Sequence, residues 1–317
     1  MSFISSDITS AEKALKDGRL VAIPTETVYG MAGNGFDEKS IMEIFKVKNR
    51  PFYDPLILHT NSIGKLGAWG MMVPDVLKPL TDKYWPGPLT VLVPKSDRVP
   101  NIVTSGLDRV AVRIPSHAKT LELLSRLPFP LAAPSANPFG YVSPTTPAHV
   151  AKHFEGKIAM VLDGGPCNVG IESTIVGVEE GQVTIYRLGG LSVEAIEETV
   201  GKVKVKTSSS KPSAPGMLLK HYAPSKAIET VETQSQLNAI DTSRTAFILF
   251  NLHKTVWSDK LVMLSKTSDH EEAAQKFYDA LRKWDEDDTV TRLVIERLPD
   301  LGLGRAINDR LQRAAAK

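Results

Sequence analysis

The segment Leu20-Val-Ala-Ile-Pro-Thr-Glu-Thr-Val-Tyr-Gly30 is an apolar run that empties into a polar, glycine-closed turn. Leu20 to Ile23 has the length of a short buried strand, and Pro24 ends the ladder because proline has no N–H to donate. The residues that follow are therefore expected at a strand mouth. Thr25, Glu26, Thr27 and Tyr29 crowd hydroxyls and a carboxylate into five positions, at the kind of sheet end where α/β proteins hold ligands. Gly30 and Gly33 let the backbone approach closely. By itself the segment reads equally well as a strand followed by an ordinary polar loop.

The flanks alternate between helix and strand patterns. Thr9 and Glu12 have capping-box spacing and Gly18 suits a left-handed helix end, which predicts a helix over 10–17. Asp37 can cap a second helix whose Ile41, Ile44, Phe45 and Lys48 share a face. That helix delivers Lys48 and Arg50 at its C-terminal end, before Pro51 breaks it. Strands are expected at 55–59, 89–93, 110–114, 130–134, 160–163, 173–178 and 183–187, the last two as a hairpin, with helices over 73–84, 117–126 and 147–154. Such a mixture of βα units and hairpins predicts an α/β fold on a twisted, open mixed sheet.

From 202 to 226 the composition turns to Lys, Ser and Pro without any Asp or Glu, the signature of a linker. Beyond it, strands at 246–250, 261–264 and 293–295, a helix over 269–285 with Ala273, Phe277, Leu281 and Trp284 on one face, and a helical tail over 303–315 predict a smaller, Rossmann-like α/β domain. The expected organisation is a first domain over 1–201, a linker or lid over 202–226 and an accessory domain over 227–317.

A hydrophobic content of 42% with 23% charged residues supplies a packed core and excludes a disordered chain. A net charge of +2 is too small to argue for nucleic acid. Cys167, the single cysteine, rules out an intramolecular disulfide and a thiolate metal site, and no metal-binding set is expected. With neither a signal-like N-terminus nor an apolar stretch of ~20 residues, the expected location is the cytoplasm, away from membranes. No Gly-x-x-x-x-Gly-Lys-Ser/Thr run occurs, so a bound nucleotide would not sit in a P-loop. His149 and His153 fall one helical turn apart but lack the glutamate of a zinc-protease helix, and read as a solvated face.

Further motifs follow in order: Lys48-Asn-Arg50-Pro51, Asp54-Pro-Leu-Ile-Leu-His59, Trp85-Pro-Gly-Pro-Leu-Thr90, Val110-Ala-Val-Arg113-Ile-Pro115, Ala133-Pro-Ser135-Ala-Asn137 and Glu172-Ser173-Thr-Ile-Val176. Together with Pro24 to Gly30, this series resembles the threonylcarbamoyl-AMP synthase family, whose catalytic domain is called YrdC-like, over residues 5–200. Pro215-Gly-Met and His221-Tyr-Ala-Pro224, followed by a small domain, resemble its longer, two-domain branch.

The resemblance implies a nucleotidyltransferase that makes threonylcarbamoyl-AMP and pyrophosphate from L-threonine, bicarbonate and ATP. Mg²⁺ would be carried by the nucleotide. The product would pass to a downstream threonylcarbamoyl transferase complex that modifies adenosine 37 of tRNAs reading codons that begin with A. Three anionic reactants must be gathered, so preorganised positive charge matters more than a nucleophile.

By the same resemblance Lys48 and Arg50 are catalytic, while Thr27, His59, Arg113, Ala133 and Ser173 contact L-threonine. Arg50, Asp54, Ser135, Asn137, Ser143, Arg187 and Tyr222 contact the nucleotide. Arg113 in an apolar strand needs an anionic partner, and the threonine carboxylate is assigned to it. Asp54 departs from the family, which commonly has Asn there; its carboxylate would repel a triphosphate unless Mg²⁺ intervenes or the side chain turns away. Arg109 replaces a threonine-like residue and is left out of the site. Residues 215–224 are expected to close over the nucleotide through Tyr222, with Gly216 permitting the bend. The competing reading is a non-catalytic RNA-binding module with a basic concave surface, for which the linker lysines could supply weak phosphate contacts. A third is another carbamoyl-adenylate enzyme, as in hydrogenase maturation, whose extra acylphosphatase-like and zinc-finger segments this chain lacks.

Overall fold

The computed structural model describes residues 3–207, 214, 215, 217, 222–252 and 259–316. Gly216 and His221, named above for the lid, lie outside the described residues. The first unit is built on strands β1 (Ile4–Ser5), β2 (Val21–Ile23), β3 (Gly30–Asn34), β4 (Ile57–His59), β5 (Leu89–Pro94), β6 (Arg109–Arg113), β7 (Leu131–Ala132), β8 (Met160–Leu162), β9 (Thr174–Glu179), β10 (Gln182–Arg187) and β11 (Lys204–Val205). They form one mixed sheet in the order β1-β8-β2-β3-β7-β4-β6-β5-β9-β10-β11. The expected hairpin is the antiparallel β9–β10 pair, while β4–β6 and β5–β9 run parallel.

Helices α1 (Ile8–Lys16), α2 (Glu38–Lys48), α3 (Ile63–Ala68), α4 (Lys78–Tyr84), α5 (Asn101–Thr104), α6 (Ala118–Arg126), α7 (Pro147–Phe154) and α8 (Val193–Val200) flank this sheet. Asp37 caps α2 as its sequence predicts, accepting from the N–H groups of Lys39 and Ser40. Helix α1 begins earlier than Thr9 suggested, because the Asp7 carboxylate takes the N–H groups of Thr9 and Ser10.

Strand register explains where a ligand can sit. His59 pairs with Arg113, Arg113 with Thr90, and Thr90 with Ile175, while Ile57 pairs with Ala111 and Ala111 with Leu92. Paired residues put their side chains on the same face. The alternate set, Leu58, Val112, Val91 and Val176, therefore points the other way, into the main core beneath Ile41 and Phe45 of α2. One face of the sheet is thus closed by helices. The other carries a histidine, an arginine and a threonine.

The second unit has four parallel strands, β12 (Ala227–Val231), β13 (Thr245–Leu249), β14 (Leu261–Met263) and β15 (Arg292–Glu296), in the order β12-β15-β13-β14. Helices α9 (Gln234–Asn238), α10 (His270–Asp285) and α11 (Gly304–Ala315) complete it. The predicted apolar face of α10 is buried, and its cluster includes Val28, Val142, Ile171 and Tyr222 from outside this unit. At Gly170, with φ +77° to +83° typical of several glycines here and itself at +81°, a Cβ would fall 2.4 Å from the carbonyl oxygen of Ala274. The two units are thus pressed backbone to backbone at that point.

Candidate active site

Beyond β2 the chain turns through Pro24–Tyr29 and is zipped to the 133–137 loop: Met31 N–H bonds Pro134 O, and Ala136 N–H bonds Tyr29 O. This brings both segments over the open face of β4 and β6. The resulting pocket is lined by Thr25, Thr27, Arg50, His59, Arg113, Ala133, Ser135, Glu172, Ser173 and Arg187, and by Pro215 and Tyr222 from the linker stretch. It therefore lies across a sheet face as well as at a strand mouth. Tyr29 is turned away from it, donating to Gly165 O at 2.7 Å and accepting from Gly164 N–H.

Arg113 is buried as expected, but the chain itself supplies its anion. Its Nη2 lies 2.7 Å from Glu26 Oε1, its Nη1 donates to Thr27 Oγ1 at 2.9 Å, and its Nε to Gly87 O. Two of its five N–H groups remain for a ligand. His59 stands beside it, 3% exposed, with Nδ1 unpartnered among the described residues. Burial, then the Arg113 charge, pulls its pKa down to about 3, so it is a neutral imidazole. Ser173 shares its hydroxyl with Thr90 at 2.7 Å and accepts from Arg187 Nη2 at 3.0 Å.

Two residues expected to face the reactants are turned elsewhere. The Lys48 ammonium donates to the carbonyls of Ser135, at 2.6 Å, and Asn137. It holds the serine loop from behind instead of lining the pocket. Burial and then the neighbouring Arg50 lower its pKa well below the usual lysine value. Asp54 is fully buried, its carboxylate 2.9 Å from Arg50 Nη2, so the departure from Asn puts no negative charge into the pocket. Arg50 spends Nε and Nη2 on the carbonyls of Asp54 and Pro55 while still reaching the lining.

Asn137 and Ser143 are also buried outside the lining. Asn137 Nδ2 donates to Pro138 O and Tyr141 O, and Ser143 Oγ donates to Glu172 Oε1 at 2.5 Å. Arg109 packs over the Tyr186 ring, away from the pocket. His149 and His153, read as a solvated face, instead meet the second unit: His149 Nε2 lies 3.5 Å from Asp279, and His153 Nε2 3.3 Å from Arg282.

The sequence reading missed Glu26, Glu172, Tyr278 and Arg310 as site residues. Glu172 Oε2 accepts from Arg310 Nε at 3.1 Å and from Tyr278 Oη at 2.9 Å, both from the second unit. Tyr278 also stacks on Tyr222, with ring centroids 5.9 Å apart. Nothing in the spacing of 172, 278 and 310 could have shown that they meet. The linker lysines are less available than composition implied: Lys204 pairs with Glu180 and Lys206 with Glu179.

Family models place this chain among known proteins. Residues 13–189 match a model described as telomere recombination (Sua5, YciO and YrdC), and residues 191–316 match the threonylcarbamoyl-AMP synthase C-terminal domain. The chain belongs to the threonylcarbamoyl-AMP synthase family. A synthase of Pyrococcus abyssi is 37% identical over 95% of this chain and 92% of its own, and one of Bacillus subtilis 36% identical over 97% and 92%. The crystal structure of P. abyssi Sua5 complexed with L-threonine superposes with a TM-score of 0.90 at 35% identity, covering 99% of this chain and 98% of that one. The likeness to full-length HypF, at 19% identity and a TM-score of 0.51, shows a shared fold alone. Membership of the synthase family makes this chain an enzyme and sets aside the RNA-binding reading. Among the described residues no helix is long and apolar enough to cross a membrane.

Proposed function

We propose that this chain is an L-threonylcarbamoyladenylate synthase, joining L-threonine, bicarbonate and ATP into threonylcarbamoyl-AMP with release of pyrophosphate. One observation carries the reading: residues from most of the family's motifs, from Thr27 to Tyr222, line a single pocket in which Arg50, Arg113 and Arg187 stand beside Thr27, Ser135 and Ser173. The threonine end comprises Thr27, His59, Arg113, Ala133 and Ser173, and the two free N–H groups of Arg113 receive the carboxylate. Neutral His59 positions the substrate and takes no proton. The nucleotide end comprises Arg50, Ser135, Arg187 and Tyr222, with Lys48 and Asn137 shaping the serine loop and Asp54 and Ser143 orienting Arg50 and Glu172.

Threonine and bicarbonate condense to a carbamate with loss of water. A carbamate oxygen then attacks the α-phosphorus, a new P–O bond forms, and the bond to the β-phosphate oxygen breaks to release pyrophosphate. The protein's contribution is alignment and charge, with no covalent intermediate on a side chain. Mg²⁺ would arrive on the phosphates of the nucleotide. The catalytic unit would span 1–201, with 202–226 as linker and lid and 227–317 as accessory domain. Burial of Ala214 and Met217 against Ile57, Leu92 and Ala111 of the first unit supports a covering role. The product would serve N6-threonylcarbamoyl modification of tRNA by a separate transferase complex in the cytoplasm.

The test is pyrophosphate release with ATP, Mg²⁺, bicarbonate and single amino acids. Release should require threonine and bicarbonate together. Equal release with serine would refute threonine specificity, and no release with any amino acid would refute the reaction.

A further inference from the structure

Three arginines line the pocket, and two already have a carboxylate: Arg50 has Asp54 at 2.9 Å and Arg113 has Glu26 at 2.7 Å. Arg187 has none within ion-pair distance among the described residues. Its Nε and Nη2 bond the backbone and hydroxyl oxygens of Ser173, and its Nη1 makes no hydrogen bond among those residues. This is the pocket arginine whose charge stays available to an incoming anion. Yet Glu172, a neighbour in the same lining, would be its natural partner.

What keeps Glu172 occupied comes from the second unit. Arg310 of α11, fully buried, sets its Nε 3.1 Å from Glu172 Oε2, and Tyr278 of α10 donates at 2.9 Å to the same oxygen. Ser143 Oγ takes Oε1 at 2.5 Å. The Arg310 guanidinium also lies over the Tyr222 ring, 5.4 Å from its centroid. Burial alone would raise the Glu172 pKa, but Arg310 first and Arg187 second hold it below the usual range. The carboxylate is therefore ionised, and Arg187 is the second cation that stabilises its charge. A buried carboxylate stripped of one cation turns to whatever cation remains.

We propose that Arg310 is a positioning residue for the nucleotide end of the pocket: by capturing Glu172 it keeps Arg187 free of a protein carboxylate and open to phosphate. The second unit then completes the site's electrostatics without touching substrate. This rests on the reading of the pocket as an ATP site.

The experiment measures ATP binding by calorimetry, and the KM values for ATP and threonine, in the full chain and in R310M, E172Q and E172Q/R310M. Arg310→Met should weaken ATP binding about 10- to 100-fold, the loss of one charge-assisted contact, with little change in the KM for threonine. Glu172→Gln should tighten ATP binding several-fold, because a negative charge beside the phosphates is gone. The double variant should recover most of what R310M loses, since no carboxylate is left to seize Arg187. A double variant as weak as R310M, a threonine KM that rises in step with that for ATP, or weaker binding in E172Q would each overturn the proposal. Wild-type ATP binding without threonine-dependent turnover would overturn the reaction while leaving this inference standing. A wild-type chain that binds no ATP would overturn both.

Discussion

Glu26 Oε1 lies 2.7 Å from Arg113 Nη2, joining the turn after β2 to the end of β6 through a buried ion pair. The second carboxylate oxygen accepts from Ser116 N–H at 3.0 Å, so Glu26 is satisfied on both sides. Removing one member of such a pair strands a charge away from water. Glu26→Ala is expected to destabilise the fold by about 3–5 kcal/mol, measured by urea unfolding, and to raise the KM for threonine. An unchanged unfolding midpoint would mean that solvent reaches Arg113 freely.

Lys48 is expected to act on the fold before it acts on chemistry. Lys48→Met leaves the carbonyls of Ser135 and Asn137 without their shared donor. The cost should be about 2–4 kcal/mol, and amide exchange around 133–141 should quicken. A variant that keeps full stability and slow exchange yet loses all turnover would instead make Lys48 a direct catalyst.

Neutral His59 has a pH signature. Its folded pKa near 3 lies below the unfolded value, so the unfolded chain binds a proton that the folded chain refuses. The stabilising difference is complete above ~6.5 and is lost as pH falls towards 3, at up to ~1.4 kcal/mol per pH unit. Stability of the wild type and His59→Gln, measured from pH 7 to pH 4, should diverge by that slope. Parallel curves would show that His59 is protonated in the fold.

Cys167 should be inert in the native protein. It is 3% exposed, and burial, helped by the nearby Glu26 charge, pushes its pKa up to about 12. A colourimetric thiol reagent should label it only on unfolding. Stoichiometric labelling within seconds under native conditions would contradict this placement.

The helix from Asp37 to Lys48 was legible because cap, apolar spacing and the terminating proline all act within a few residues. The β9–β10 hairpin and the buried face of α10 were legible for the same reason. Strand β3 was not: Gly30-Met-Ala-Gly-Asn34 has little strand propensity and is held by β2 on one side and β7 on the other. Within the site, Arg113 could be picked out as a charge in an apolar strand, but its partner at Glu26 could not.

Local order in the chain determined the elements, the motif series and hence the family, because caps, periodicity and turn chemistry are short-range. The destination of each charged side chain was settled by packing. Lys48 and Asp54 turned inwards because unpaired backbone carbonyls and a buried arginine stood within their reach, and a polar group taken from water goes to the nearest partner that satisfies it. Glu172 met Arg310 across 138 positions of chain only once α11 had docked against the first unit.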